Sequence, residues 1–496
     1  MSFVGIDLGT TFSSVATIDE AGRPIPVANA EGGYSTPSCI SFEGDAPLFG
    51  EEARKALFIP GAEAVGRFKR EMGTDKTYQL GANTFSPAEL SSLLLKNLKT
   101  VAENALGPVS EAVVTIPANF SHEARDATMA AAKAAGLNVN YIINEPTAAA
   151  LYYAFKDGGS MAGTYAVYDL GGGTFDVSII KLDGQDVEVL ATNGVSKLGG
   201  DDFDTAIQLL VQKKFKDLTG EELDKEDFTI NDAEEEKKSL SRRDSVRCRV
   251  ARKMIEVTRA EFEEAISTFI TQAEMNCESV LDEAGLKPSD IQAVFFAGGS
   301  TRIPIVKTSV ERVFGQEPIA ASNVDLVVSL GAALYAAHKG DQSKLSTVQR
   351  NSIEKISVAE KTGMYFGTIS MSADNARGEG RLSNSILIHK GESIPCDITE
   401  SFYTVADGQT SVNCRITESR SPESDPKFVK VIWEGDLELP PGRDAGQEIK
   451  ITYAYDENQM MKCRFLDVQS NQEKKVELSI AGAAMDSSTI DKFTVE

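Results

Sequence analysis

Twice in this chain an apolar run ends in Asp-Leu-Gly, passes through small residues and continues into a second apolar run. The first copy is Val4-Gly5-Ile6-Asp7-Leu8-Gly9-Thr10-Thr11, followed by 14–18. The second is Ala166-Val167-Tyr168-Asp169-Leu170-Gly171-Gly172-Gly173-Thr174, followed by 176–180. Apolar segments on either side of a small-residue turn predict a β-hairpin in each case, not a strand passing into a helix. Small residues allow backbone N–H groups to approach an anion closely. Each first strand also closes on a carboxylate, Asp7 or Asp169. Two such loops facing each other would clamp a polyphosphate, with the carboxylates holding a hydrated Mg²⁺. A single glycine-rich hairpin is as readily a plain tight turn, but a matched pair makes that reading weak. Neither GxxxxGK[ST] nor GxGxxG occurs, so a Walker loop and a dinucleotide fingerprint are excluded. A third glycine motif, Phe295-Phe296-Ala297-Gly298-Gly299-Ser300-Thr301-Arg302, suits the close approach of a base or ribose, with Arg302 able to stack on a base face.

Residues 1–340 alternate short apolar runs with long amphipathic stretches, as α/β layers require. Ser86-Pro87-Ala88-Glu89 is a capping box, and Leu90, Leu93, Leu94 and Leu98 follow at helical spacing. Thr258-Arg259-Ala260-Glu261 is a second box, continued by Phe262, Ile266, Phe269 and Ile270 and stopped at Gly285. Strands are expected over 112–116, 166–168 and 293–297. Residues 341–360 are polar and aperiodic, as a linker would be. From 361 to 480 the pattern has period two: Ile449, Ile451 and Tyr453 alternate with Lys450 and Thr452, and Val476, Leu478 and Ile480 with Glu477 and Ser479. This predicts an antiparallel β-sandwich, with 481–496 as a tail.

Charge and composition remove several functions. Of 496 residues, 50 are Lys or Arg and 74 are Asp or Glu, a formal net charge of −24. A broad nucleic-acid footprint needs clustered basic charge, so no nucleic-acid partner is expected. The most apolar stretch, 326–337, is interrupted by Ser329 and Gly331 and is too short to cross a membrane. The start lacks a basic segment of the secretory kind. Six cysteines form no CxxC, and His122, His338 and His389 lie far apart. A zinc site or disulfide framework is not expected, and a reduced, cytoplasmic setting is.

The three glycine motifs, in this order, resemble the actin-like ATPase superfamily. Longer matches narrow the resemblance to the heat-shock-70 (DnaK-type) chaperone family: 6–11 (IDLGTT), 143–150 (INEPTAAA), 168–176 (YDLGGGTFD) and 198–204 (LGGDDFD). Weaker matches at Ile394-Pro395 and 401–407 resemble that family's substrate-binding sandwich. The implied architecture is an actin-like (ribonuclease H-like) two-lobed α/β ATPase domain followed by an all-β sandwich. The implied activity is slow hydrolysis of ATP to ADP and phosphate with Mg²⁺, and K⁺ as a further ion, controlling the grip on unfolded polypeptide segments.

The resemblance also implies residue roles. Thr10, Thr11, Gly172, Gly173 and Thr174 would contact phosphates, and Gly9 and Gly171 would belong to the same nucleotide site. Asp7, Glu145, Asp169 and Asp176 would hold the metal, mostly through water. Lys69, with Asp7, Glu145, Asp169 and Thr174, would be catalytic. Gly199, Gly200, Glu234, Lys237, Lys238, Ser241, Gly298, Gly299, Ser300, Arg302 and Asp325 would surround the nucleotide. Met371, Phe402, Val405 and Val412 would line a peptide groove, although sandwich core is an equally good reading of each. Pro117 and Arg125 would carry the signal between domains.

Four features depart from the family pattern. No helical lid is expected after the sandwich. The usual leucine-rich acidic linker is replaced by 351–358 (NSIEKISV). Tyr141 stands where the family has an arginine used toward J-domain partners, and Met129 replaces a lysine near Arg125. These departures count against the usual J-domain cochaperone, while a nucleotide exchange factor stays open as a partner. They also motivate an alternative, a nucleotide-binding but hydrolysis-poor scaffold or cochaperone. A sugar-kinase-like or filament-forming member of the superfamily is a third reading, opposed by the appended β-domain.

Overall fold

The computed structural model describes residues 2–59, 61–224, 226–372, 380–457, 460–478 and 492–493. The chain divides into two compact units, Met1–Val358 with Ala484–Glu496, and Ala359–Ala483.

The first unit is built on a duplication. The strand Ser2–Asp7 pairs antiparallel with Phe12–Ile18 and parallel with Val109–Ile116, giving the first hairpin. Pro24–Pro26 extends the sheet on one side and Tyr141–Asn144 on the other. In the second sheet Ala162–Leu170 pairs antiparallel with Phe175–Asp183 and parallel with Val294–Ala297. Asp186–Val195 follows antiparallel beside Phe175–Asp183, and Ile319–Ala320 lies parallel beyond Val294–Ala297. Strand order and direction are therefore the same in both sheets, and the repeated Asp-Leu-Gly marks the same corner of each. Strand interiors such as Val4–Ile6 and Tyr165–Leu170 are buried on both faces, which explains their continuous apolar runs.

In each half the fifth strand leads to a helix, Glu145–Lys156 in one and Val327–Lys339 in the other. These two helices pack against each other. A Cβ on Gly331 would lie 1.7 Å from the Ala148 carbonyl oxygen, so only glycine permits this crossing. Ala148–Leu151 and Ala332–Ala337 fill the core beneath it.

Both capping boxes form. Ser86 caps Pro87–Leu106, and Thr258 caps Arg259–Ala265. The second helix breaks at Ile266 and resumes as Ser267–Ala284, ending on Gly285 at φ 67°. Sequence periodicity runs straight through that break because Phe262, Ile266 and Ile270 stay on one buried face.

The expected linker is a correction. Residues 341–358 belong to the first unit. Ser346 and Gln349 form a capping box for the helix Thr347–Ile353, and Ile353 and Ile356 are buried in the same core as Tyr153 and Phe295. The Ser357 N–H donates to the Gln185 carbonyl at 3.3 Å. Two isoleucines three residues apart anchor a stretch whose average composition is polar.

The second unit holds two four-stranded antiparallel sheets. One contains Arg381–Ile388, Tyr365–Ser372, Ser411–Ser419 and Lys430–Glu438; the other contains Cys396–Tyr403, Glu448–Tyr455, Met461–Asp467 and Glu473–Glu477. Glu448–Tyr455 alternates half-buried and buried residues. Its inward residues Ile449, Ile451 and Tyr453 meet Phe366, Ile416 and Phe465 in one core. Ser479, Ile480 and most of the expected tail lie outside the described residues.

Gly331→Ala drives a methyl group into the Ala148 backbone. It should lower the first unit's thermal midpoint by several degrees, from an overpacking cost of roughly 1–3 kcal/mol. Circular dichroism melting checks this, and an unchanged midpoint would show that the helix crossing is not tight.

Candidate functional site

The two hairpin turns meet. A Cβ on Gly172 would lie 2.0 Å from Thr11 Oγ1, and one on Gly173 would lie 2.4 Å from Thr10 Cγ2. Gly199 backs the second turn just as closely, its missing Cβ falling 2.6 Å from the Gly172 carbonyl. The Gly200 and Asp201 N–H groups donate to the Gly171 and Gly172 carbonyls at 3.0 and 2.8 Å, so the helix Gly200–Thr219 starts against this turn. The third glycine motif arrives beside it because Ala297 pairs in register with Asp169. Gly298 adopts φ 80°, and a side chain there would strike the Leu170 carbonyl and Asp169. The Ser300 hydroxyl donates to the Gly171 carbonyl at 2.8 Å.

Behind the turns lies a carboxylate set. Asp7 ends the first hairpin's inner strand and accepts a bond from the Thr115 hydroxyl at 3.1 Å. Asp169 occupies the matching place in the second hairpin, and Glu145 opens the helix Glu145–Lys156. Lys69 is a buried cation among them. It sits on the short 3-10 turn Phe68–Glu71, 4% exposed, with Nζ 2.5 Å from Glu145 Oε1 and 5.7 Å from the Phe120 ring centre. Asp176 is 1% exposed, and its Oδ1 has no hydrogen-bond partner.

Burial, then the nearby Glu145 charge, pushes the Asp7 carboxyl up to about 7 and Asp176 up to about 8, against the pull of Lys69. Asp169 is raised well above the carboxylate range, first by burial and then by Glu145, Asp176 and Asp7. Lys69, and toward Asp176 also Arg125, offset this rise only in part. Among the described residues no three His, Cys, Asp or Glu side chains form a group that could by itself hold a metal ion.

A cavity of about 420 Å³ opens in front. Asp7, Gly9, Thr10, Thr11, Lys69, Glu145, Asp169, Gly171, Gly172, Gly173 and Thr174 form one part of its wall. Gly200, Glu234, Lys237, Lys238, Ser241, Gly298, Gly299, Ser300, Arg302 and Asp325 form another part. Asp176 and Gly199 stand behind the wall rather than in it. Arg302 pairs with Asp325 at 2.6 Å, Lys237 with Asp204 at 2.6 Å and Lys238 with Glu234 at 2.9 Å. The charge run around Glu234 is thus partly a cavity wall, not only a solvated helix face.

Several residues at this site went unassigned in the sequence reading. Arg54 bridges to Glu234 at 2.8 Å, Arg67 to Asp201 at 2.9 Å and Arg70 to Asp202 at 2.8 Å. Arg67 and Arg70 flank Lys69, and Asp201 and Asp202 sit in the LGGDDFD segment, so their motifs were visible but their pairing was not.

Arg125 is 2% exposed and reaches the Ala118 and Phe120 carbonyls at 2.9 and 3.2 Å, and Asn144 Oδ1 at 3.3 Å. It ties the loop after buried Pro117 to the residue preceding Glu145.

In the second unit Met371, Phe402, Val405 and Val412 line a separate cavity of about 330 Å³ with Leu382, Tyr403, Ile449 and Ile451. Met371 is 48% and Val405 63% exposed, so neither is sandwich core. Phe402 and Val412 are half-buried at the core's edge. Among the described residues no helix is long and apolar enough to cross a membrane.

The raised carboxyl at Asp176 makes a pH prediction. A carboxyl held protonated in the fold stabilises it at low pH, and that contribution is lost as pH rises from about 4 toward about 8. In Asp176→Asn the ligand-free chain should lose less stability over that window than the wild type. Urea unfolding at pH 5 and pH 8 measures the difference, and parallel losses would contradict the assignment.

A model of the Hsp70 protein family matches residues 3–496, and with that match covering essentially the whole chain, the protein belongs to the Hsp70 family.

Proposed function

We propose that the first unit binds ATP with Mg²⁺ and hydrolyses it slowly, and that nucleotide state controls the hold on extended polypeptide in the second unit. Membership of a family of ATP-dependent chaperones supports the general activity. The observation that carries the specific reading is the contact between the two glycine turns in front of a buried set of carboxyl groups.

Backbone N–H groups of 9–11 and 171–174 would donate to phosphate oxygens, as glycine turns do. Glu234, Lys237, Lys238, Ser241, Arg302 and Asp325 would receive the adenosine. Asp7, Glu145 and Asp169 would hold Mg²⁺ through water, backed by Asp176, and the ion would neutralise phosphate charge. Lys69 would add a fixed ammonium where negative charge develops as water attacks the terminal phosphorus and ADP leaves. Transfer to water needs no covalent nucleophile, which agrees with the buried state of Cys39, Cys248 and Cys277. Arg125 links the loop after Pro117 to the residue beside Glu145, so a shift at Glu145 has a direct route to that loop.

In the second unit the exposed Met371, Leu382, Tyr403 and Val405 offer apolar pockets of the kind that grip an extended chain.

Steady-state phosphate release from ATP, with and without an unfolded apolar peptide, tests the reading. Lys69→Ala should cut turnover by about 10²-fold or more, the size of effect seen when a preorganised charge is removed. Nucleotide binding without Lys69-dependent turnover would replace hydrolysis by the hydrolysis-poor scaffold or cochaperone reading. For the groove, Val405→Asp should weaken a fluorescent apolar peptide by about ten-fold or more, since it places a charge in an apolar pocket. Unchanged anisotropy titrations would move the peptide site elsewhere.

A further inference from the structure

The described residues nearest the end of the chain, Lys492 and Phe493, belong to the first unit although they follow the second in sequence. Phe493 is 5% exposed. Its ring stands edge-on to Phe42 at 5.4 Å between centroids and lies tilted against Phe85 at 5.7 Å. Phe42 and Phe85 are themselves stacked at 5.4 Å. The Phe493 carbonyl accepts a hydrogen bond from Lys96 Nζ at 2.9 Å. The three partners come from the strand Cys39–Glu43, the strand Asn83–Phe85 and the helix Pro87–Leu106.

These partners form a slot with a defined chemistry. Two stacked rings accept a third aromatic side chain edge-on, the arrangement that aromatic quadrupoles favour. A lysine at the lip takes the adjacent main-chain carbonyl. Chain ends are ordinarily poorly ordered unless something ties them down. Here a single phenylalanine near the end of a mostly polar segment is almost fully buried.

We propose that this slot is a peptide-binding site of the first unit, occupied in cis by the Phe493 segment. The chain leaves the first unit after Val358, and Phe493 belongs to it again. The cis segment holds the slot against outside peptides, because its tether gives it a high effective concentration. This device stands apart from the nucleotide reading and survives whether or not ATP is hydrolysed.

The test uses the full chain and a fluorescein-labelled synthetic peptide of residues 484–496. With the cis segment disabled by Phe493→Ala, the peptide should bind about ten-fold or more tighter than it does to the wild type. The same peptide carrying the Phe493→Ala change should not bind. Hydrogen exchange gives an independent readout: amides of 83–90 should exchange faster in the Phe493→Ala chain, with Phe493→Leu intermediate. Equal peptide affinity for both chains, or exchange unchanged by Phe493→Ala, would overturn the proposal.

Discussion

The contact between the two glycine turns is the constraint on which the rest of this structure depends. Gly172 and Gly173 lie so close to Thr11 and Thr10 that a methyl group at either position would overlap a threonine side chain. That approach is possible only if two sheets of the same strand order meet at equivalent corners, and only if the helices behind them cross without side chains at Gly331. The duplication, the small residues at the turns and the tight helix crossing are parts of one geometric requirement. Its product is a cavity whose floor comes from both halves and whose walls include main-chain groups free of obstruction.

Charge is arranged on top of that geometry at a cost to stability. Asp7, Asp169 and Asp176 are held in a buried setting that raises all three, and Lys69 is committed to Glu145. A fold selected for stability alone would replace such a cluster with apolar side chains. Its presence beside the glycine turns is the kind of local conflict that functional sites carry. The arginine–aspartate pairs at Arg67 and Arg70 show the opposite arrangement, each acidic residue there having a cation within reach.

Two segments that look from sequence like a linker and a tail are anchored by very few apolar side chains. Ile353 and Ile356 fix 341–358 to the first unit's core, and Phe493 fixes the chain near its end to the Phe42–Phe85 slot. In both cases the neighbouring residues are polar, and one or two buried side chains decide where the segment lies. The place of each segment is thus specified by point anchors, not by the average character of the stretch.

Much of this was legible in the residues themselves, and for identifiable reasons. Alternating Ile449, Ile451 and Tyr453 has one physical solution, a strand with one face buried, and Ser86 with Glu89 has one helical meaning. Asp-Leu-Gly repeated before small residues determined two hairpins and pointed to an anion. These are local signals, set by backbone stereochemistry and by which face of an element must leave water. Tertiary structure alone decided that the two turns touch, that Arg54 reaches Glu234, that Asp176 sits behind the cavity wall and that Phe493 returns to the first unit. Each joins residues from separate elements, and Arg54 and Glu234 stand 180 positions apart. No local propensity encodes such a meeting, because it exists only once the sheets have paired and the cores have closed.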